Sequence, residues 1–147
     1  MKDKQEFDLA HAQEVALKLY TVGGLSLLSS DDFCVCGSIR RGKPKVHDID
    51  IVMIPREGLV FDHKIIKGTF EGIPFELYIA DKNTFETLKL IRTGSAEHNK
   101  KLCSIAKSRG WKLHADGQGL ERPSPDMAIQ PESEWITTEK EILEELL

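Results

Sequence analysis

Two aspartates separated by one isoleucine, Asp48-Ile49-Asp50, run directly into the apolar segment Ile51-Val52-Met53-Ile54. Side chains two apart on a β-strand share a face, so Asp48 and Asp50 project together while Ile49 and Ile51 turn to a core. Two carboxylates held side by side repel each other, and a bound cation relieves the repulsion. Oxygen-only donors open to solvent suit Mg²⁺, whose shell substrate phosphates can complete.

The residues just before this pair suit the same chemistry. The stretch from Gly37 to Ile54 reads GSIRRGKPKVHDIDIVMI. Gly37 lets the backbone come close to a ligand, and Ser38 brings a hydroxyl. The amides after it can open a short helix, where anions bind. Arg40 and Arg41 add fork-shaped donors that match phosphate. Gly37 to Asp50 spans fourteen residues, about one strand–turn–strand. Taken singly, a D-x-D is commonly a solvated pair, G-S a turn, and adjacent arginines a solvated face. Together and in this order they make a nucleotidyl-transfer arrangement.

G-S-x-R-R-G followed after six residues (Gly42 to His47) by D-x-D resembles the palm motif of the DNA polymerase X family. These are the polymerase β-like members of the nucleotidyltransferase superfamily. Independently, the run from Arg92 to Lys100, RTGSAEHNK, resembles the family's T-G-S-x-x-x-N-K signature at the start of the thumb. Glu76 stands where the family places a third metal-binding carboxylate, usually Asp. The resemblance runs from about Phe33 to Leu113, and more weakly beyond.

The resemblance implies an α+β fold. A nucleotidyltransferase-type palm, a mixed sheet packed on helices, would occupy residues 1–81. A small thumb-like subdomain would occupy residues 82–147. It implies a DNA polymerase X-like enzyme that adds nucleotides to a DNA 3′-OH, in the setting of DNA repair. Asp48, Asp50 and Glu76 would be catalytic and metal-binding, with two Mg²⁺ ions for which Mn²⁺ can substitute. Gly37, Ser38, Arg41, Gly94 and Asn99 would bind the nucleoside triphosphate. Arg40, Arg92 and Lys100 would be contacts to DNA or phosphate, with a salt bridge as the other expectation for Arg40. The macromolecular partner would be primer–template or gapped DNA, and the chain a monomer.

The chain also departs from the family. Ile91-Arg92 stands where an aromatic pair usually lies under the sugar, which leaves sugar discrimination open. With 147 residues there is no room for the lyase domain or the helix-hairpin-helix clamps of larger members, so no lyase activity is expected. Two other functions stay open: a minimal nucleotidyltransferase modifying RNA, protein or a small molecule, and a non-catalytic nucleic-acid-binding module.

Composition sets the remaining bounds. The formal net charge of −4 is unusual for a nucleic-acid binder, but its distribution is uneven. Residues 35–115 carry 15 Lys/Arg against 9 Asp/Glu, whereas the flanks carry 5 against 15. A basic centre between acidic ends predicts weak, strongly salt-dependent DNA binding. The three cysteines, Cys34, Cys36 and Cys103, form no zinc pattern and are expected to be reduced. No apolar run is long enough to span a membrane and the start lacks a signal peptide's apolar core, so a cytoplasmic location without membrane contact is expected.

Periodicity predicts a helix over residues 6–28 with an end or a kink at Gly23-Gly24, a turn at Ser29–Asp32 and strands over Phe33–Cys36 and Asp48–Ile54. A hairpin follows, with strands Lys64–Phe70 and Ile73–Ala80 joined at Glu71-Gly72. Helices are expected over Asn83–Ile91, Ala96–Arg109 and from Thr138 to Leu147. Between the last two come a short strand, Trp111–His114, and a loop to about Pro131.

Overall fold

The computed structural model describes residues 4–123 and 133–147. The chain opens with β1 (Phe7–Asp8), α1 (Leu9–Thr21) and α2 (Leu25–Leu28). It continues through β2 (Ser29–Val35), a single turn α3 (Gly37–Arg40), β3 (Lys45–Val46) and β4 (Ile49–Pro55). The hairpin β5 (Ile65–Phe70) and β6 (Ile73–Ile79) leads to α4 (Phe85–Thr93) and α5 (Ala96–Ser108). Three short strands follow, β7 (Lys112–His114), β8 (Gly119–Pro123) and β9 (Ser133–Ile136), and α6 (Glu139–Leu146) ends the chain.

The central sheet is mixed, in the order β2-β4-β6-β5. β4 pairs parallel with β6, while β2–β4 and β5–β6 are antiparallel. Strand β4 is buried on both faces, which accounts for its unbroken apolar run. Ile49, Ile51 and Met53 pack with Ala12, Val15, Ala16 and Leu19 of α1. On the opposite face Val52 and Tyr78 meet Phe85 and Leu88 of α4. Each fully buried aliphatic side chain contributes on the order of 1.5–3 kcal/mol.

A separate core forms around Leu102, Leu113, Leu120 and Ile142, and takes Leu90 and Ile91 from α4. Helix α4 thus packs on the sheet with its first half and on the C-terminal core with its second. A second sheet, β7-β8-β9, is antiparallel throughout.

Local signals held where they were local. Glu71 and Gly72 take positive φ angles of 48° and 82° and close the hairpin. The Ser95 hydroxyl accepts from the His98 amide, and that of Thr138 from the Glu141 amide, each capping its helix. The first helix breaks at the expected Gly23-Gly24, with Gly24 at φ 87° before α2, and begins later than expected because Phe7 and Asp8 pair with Val46 and Lys45 as β1. Ser29 to Asp32 is not a free turn. Pairing of Ser29 with Pro55 draws it into β2, with a register shift before Phe33. The expected loop after His114 contains β8, and its part over residues 124–132 lies outside the described residues.

Candidate active site

Parallel pairing of β4 and β6 sets Asp50 directly against Glu76. Asp48 lies one residue ahead of β4, on the Asp50 face. All three carboxylates are half-buried. Burial pushes the Asp50 carboxyl up to about 6, and the charges of Asp48 and Glu76 push the same way. Arg92 and Arg41 pull in the opposite direction without cancelling the rise. A cation would remove this conflict, and hard oxygen donors suit a divalent one. Asp48 and Asp50 therefore fit Mg²⁺.

Glu76 is held differently. The Tyr78 phenol donates to its Oε2, and Lys67 stands 3.6 Å from its Oε1. Burial raises the Tyr78 phenol well above its usual range, and the bond to Glu76 raises it further. Among the described residues, no group of three or more His, Cys, Asp or Glu is poised to hold an ion. Asp48 and Glu76 do share a cavity of about 360 Å³, walled on one side by Lys4, Gln5 and Phe7. His47, also on that wall, bonds through Nδ1 to the Gln5 carbonyl at 3.0 Å.

Gly37 begins α3 at φ 61°, beside the carboxylates. A Cβ there would stand 3.2 Å from the Asp50 Cβ and Cγ and would collide with Oδ2. Only glycine fits both the backbone angle and the space. The Cys36 amide donates to the Asp50 carbonyl at 2.7 Å, so the end of β2 carries Gly37 and Ser38 up to β4. Ser38 is half-buried and Arg41 exposed.

The two motifs meet at Arg41. Its Nη1 donates to the Thr93 carbonyl at 2.5 Å. Gly94, at φ 70°, leaves space for that guanidinium, since a Cβ there would lie 3.1 Å from the same nitrogen. Arg40 is committed within the chain. It forms a two-pronged bond to Glu139 of α6, both contacts 2.7 Å, and a third to Thr93 Oγ1 at 2.8 Å. The structure gives this side chain a salt bridge.

The other expected contacts vary in how free they are. The Arg92 guanidinium lies 4.2 Å over the Tyr78 ring, and its Nε is buried without a hydrogen-bond partner among the described residues. Asn99 gives its Nδ2 to the Ile91 carbonyl at 2.8 Å, closing the end of α4. Its Oδ1 is buried and unpartnered among the described residues. Lys100 is exposed on α5. Sequence reasoning marks Thr93 only as part of the T-G-S run and does not mark Tyr78, Lys67 or Glu139. Tyr78 had a signal, because it lies two residues after Glu76 on one strand.

The sequence matches no known protein-family profile and no curated protein. Its fold does match solved structures. One is the crystal structure of Leishmania infantum polymerase beta, a ternary P/T complex, at a TM-score of 0.63 and 15% identity. The match covers 97% of this chain and 73% of that one. The fold is therefore polymerase β-like, α+β with a mixed sheet packed on helices. No helix among the described residues is long and apolar enough to cross a membrane.

Proposed function

We propose that the chain is a metal-dependent nucleotidyltransferase that joins a nucleotide to a DNA 3′-OH. One observation carries it: Asp48 and Asp50 at the start of β4 stand beside Glu76, the register partner of Asp50 on β6, and against a glycine with no room for a side chain. In this reading residues 1–81 are the palm and 82–147 a thumb-like part, with α4 packed on both.

Asp48 and Asp50 would hold two Mg²⁺ ions, with Glu76 joining at one of them. Bound there, the ions would acidify the attacking hydroxyl and neutralise the triphosphate. Glu76 takes up the hydroxyl proton as the new bond to the α-phosphorus forms and pyrophosphate leaves. Gly37 admits the triphosphate close to the backbone, and Ser38 donates to it. Arg41 keeps donors to spare beyond the one on Thr93, and these clamp the β- and γ-phosphates. Gly94 keeps the Arg41 position open, and the free Oδ1 of Asn99 accepts from the nucleotide. Arg92 and Lys100 supply positive charge along the phosphate path.

The test is primer extension with dNTPs and rNTPs in Mg²⁺ and Mn²⁺, on gapped, recessed and single-stranded DNA. Wild-type extension that an Asp48→Ala/Asp50→Ala double variant lacks is the expected result. A second acceptor class, RNA, protein or a small molecule, is favoured by the N-terminal wall beside Asp48 and Glu76. That wall lines the same cavity as two of the three carboxylates. Incorporation into such acceptors, with none into DNA, would replace the first reading.

A further inference from the structure

We infer that Tyr78 is a latch on Glu76, holding the third carboxylate off the Asp48–Asp50 pair until a divalent cation draws it in. The inference rests on the nucleotidyl-transfer reading and adds a positioning residue to it. Tyr78 follows Glu76 by two residues on β6, so both side chains leave the same face of the sheet. The phenol donates to Oε2, while Lys67, the register partner of Glu76 on β5, stands by Oε1. Both carboxylate oxygens thus have partners on β5 and β6, and neither partner comes from β4, the strand that carries Asp50.

The latch is itself held in place. Tyr78 is only 6% exposed, and Arg92 from α4 lies across its ring. Asp48 and Asp50, in contrast, receive no side-chain hydrogen bond among the described residues. With no cation present, bringing the Glu76 carboxylate closer to Asp50 strengthens a repulsion that Asp50 already feels from Asp48 and Glu76. A bonded phenol is the better neighbour. A divalent cation between the carboxylates reverses the sign of that interaction, and Glu76 gains by leaving Tyr78 for it. The site then assembles fully only with its cation.

Calorimetric titration of the full chain with Mn²⁺ tests this without any turnover. Tyr78→Phe keeps the buried ring and removes only the hydroxyl. It should bind Mn²⁺ about tenfold more tightly than wild type, roughly the weight of one charge-assisted hydrogen bond. Lys67→Gln, at an exposed position that cannot threaten folding, should tighten binding by a smaller factor. Adding Glu76→Gln to Tyr78→Phe should abolish the gain. Equal or weaker binding by Tyr78→Phe, with wild-type binding still dependent on Asp48 and Asp50, would overturn the latch alone. Absence of binding in every variant, or binding that survives Asp48→Ala/Asp50→Ala, would overturn the latch together with the reading beneath it.

Discussion

Gly37 lies against the carboxylate of Asp50, with no room for a side chain between them. The contact joins the end of β2 to the start of β4 through the Cys36 amide and the Asp50 carbonyl. The loop suited to phosphate and the acids suited to a metal are therefore one rigid unit. Rigid support of this kind lets a site hold geometry that a free loop would lose.

Gly37→Ala should damage stability and site together. The new methyl needs φ 61°, which disfavours any residue with a Cβ, and it must also displace the Asp50 carboxylate. The combined cost should be on the order of 2–3 kcal/mol, read as a lower urea midpoint at unchanged slope. Gly42→Ala is the control. Its φ of 72° is similar but no atom lies within 4 Å of the added Cβ, so it should lose only the backbone part. Equal losses in the two variants would show that the Asp50 contact carries no weight.

Asp50 should make the fold less stable at neutral pH than a neutral residue would. Its carboxyl titrates near 6 in the fold against 3.8 for the ordinary group. The folded state therefore binds the proton more tightly. The resulting stabilisation is complete below about pH 3.8 and is lost as the pH rises through 6. Asp50→Asn should accordingly raise the Tm at pH 7.5 by a few degrees, on the order of 1 kcal/mol once solvent screening is allowed for. The difference should vanish near pH 4. Millimolar Mg²⁺ should raise the Tm of wild type and leave the variant nearly unmoved. Melting curves across pH with and without Mg²⁺ decide it, and a variant less stable at pH 7.5 would contradict the argument.

The parts of this fold that could be read from sequence are those set by neighbours in the chain. The hairpin at Glu71-Gly72 needs two positive φ angles in a row, and the helix starts at Ser95 and Thr138 need one hydroxyl each. Strands β8 and β9 have no such mark. Glu121 and Arg122 become strand residues because Trp135 and Glu134 pair with them. Ser29 to Asp32 looks like a turn by composition, and pairing with β4 overrides it. At the candidate site, the period of two brings Asp48 and Asp50 to one face, but only strand register puts Glu76 opposite Asp50. Arg40 shows the limit. Its partner lies 99 residues away on the last helix, and nothing near Arg40 distinguishes a structural arginine from a phosphate-binding one.

That long-range pair yields the last prediction. Arg40 is exposed and Glu139 half-buried, with side chains 32% and 17% exposed, and their bond ties the turn after Gly37 to the C-terminal helix. The Arg40 guanidinium holds the Glu139 carboxyl below its usual range against a smaller opposing effect of burial. Stability from this pair is therefore present above the ordinary glutamate value of 4.5 and is lost as the pH falls through the lowered one. Arg40→Met leaves the half-buried Glu139 with only Lys89 as a nearby positive charge and should cost about 1–2 kcal/mol at pH 7. Glu139→Gln retains one acceptor for the guanidinium and should cost about 1 kcal/mol. A double-mutant cycle by urea unfolding at pH 7 should give a coupling of about 1 kcal/mol or more, and it should shrink as the solution is acidified below pH 4. If Arg40 served phosphate and not the fold, the cycle would show no coupling and Arg40→Met would unfold at the wild-type midpoint while losing nucleotide affinity.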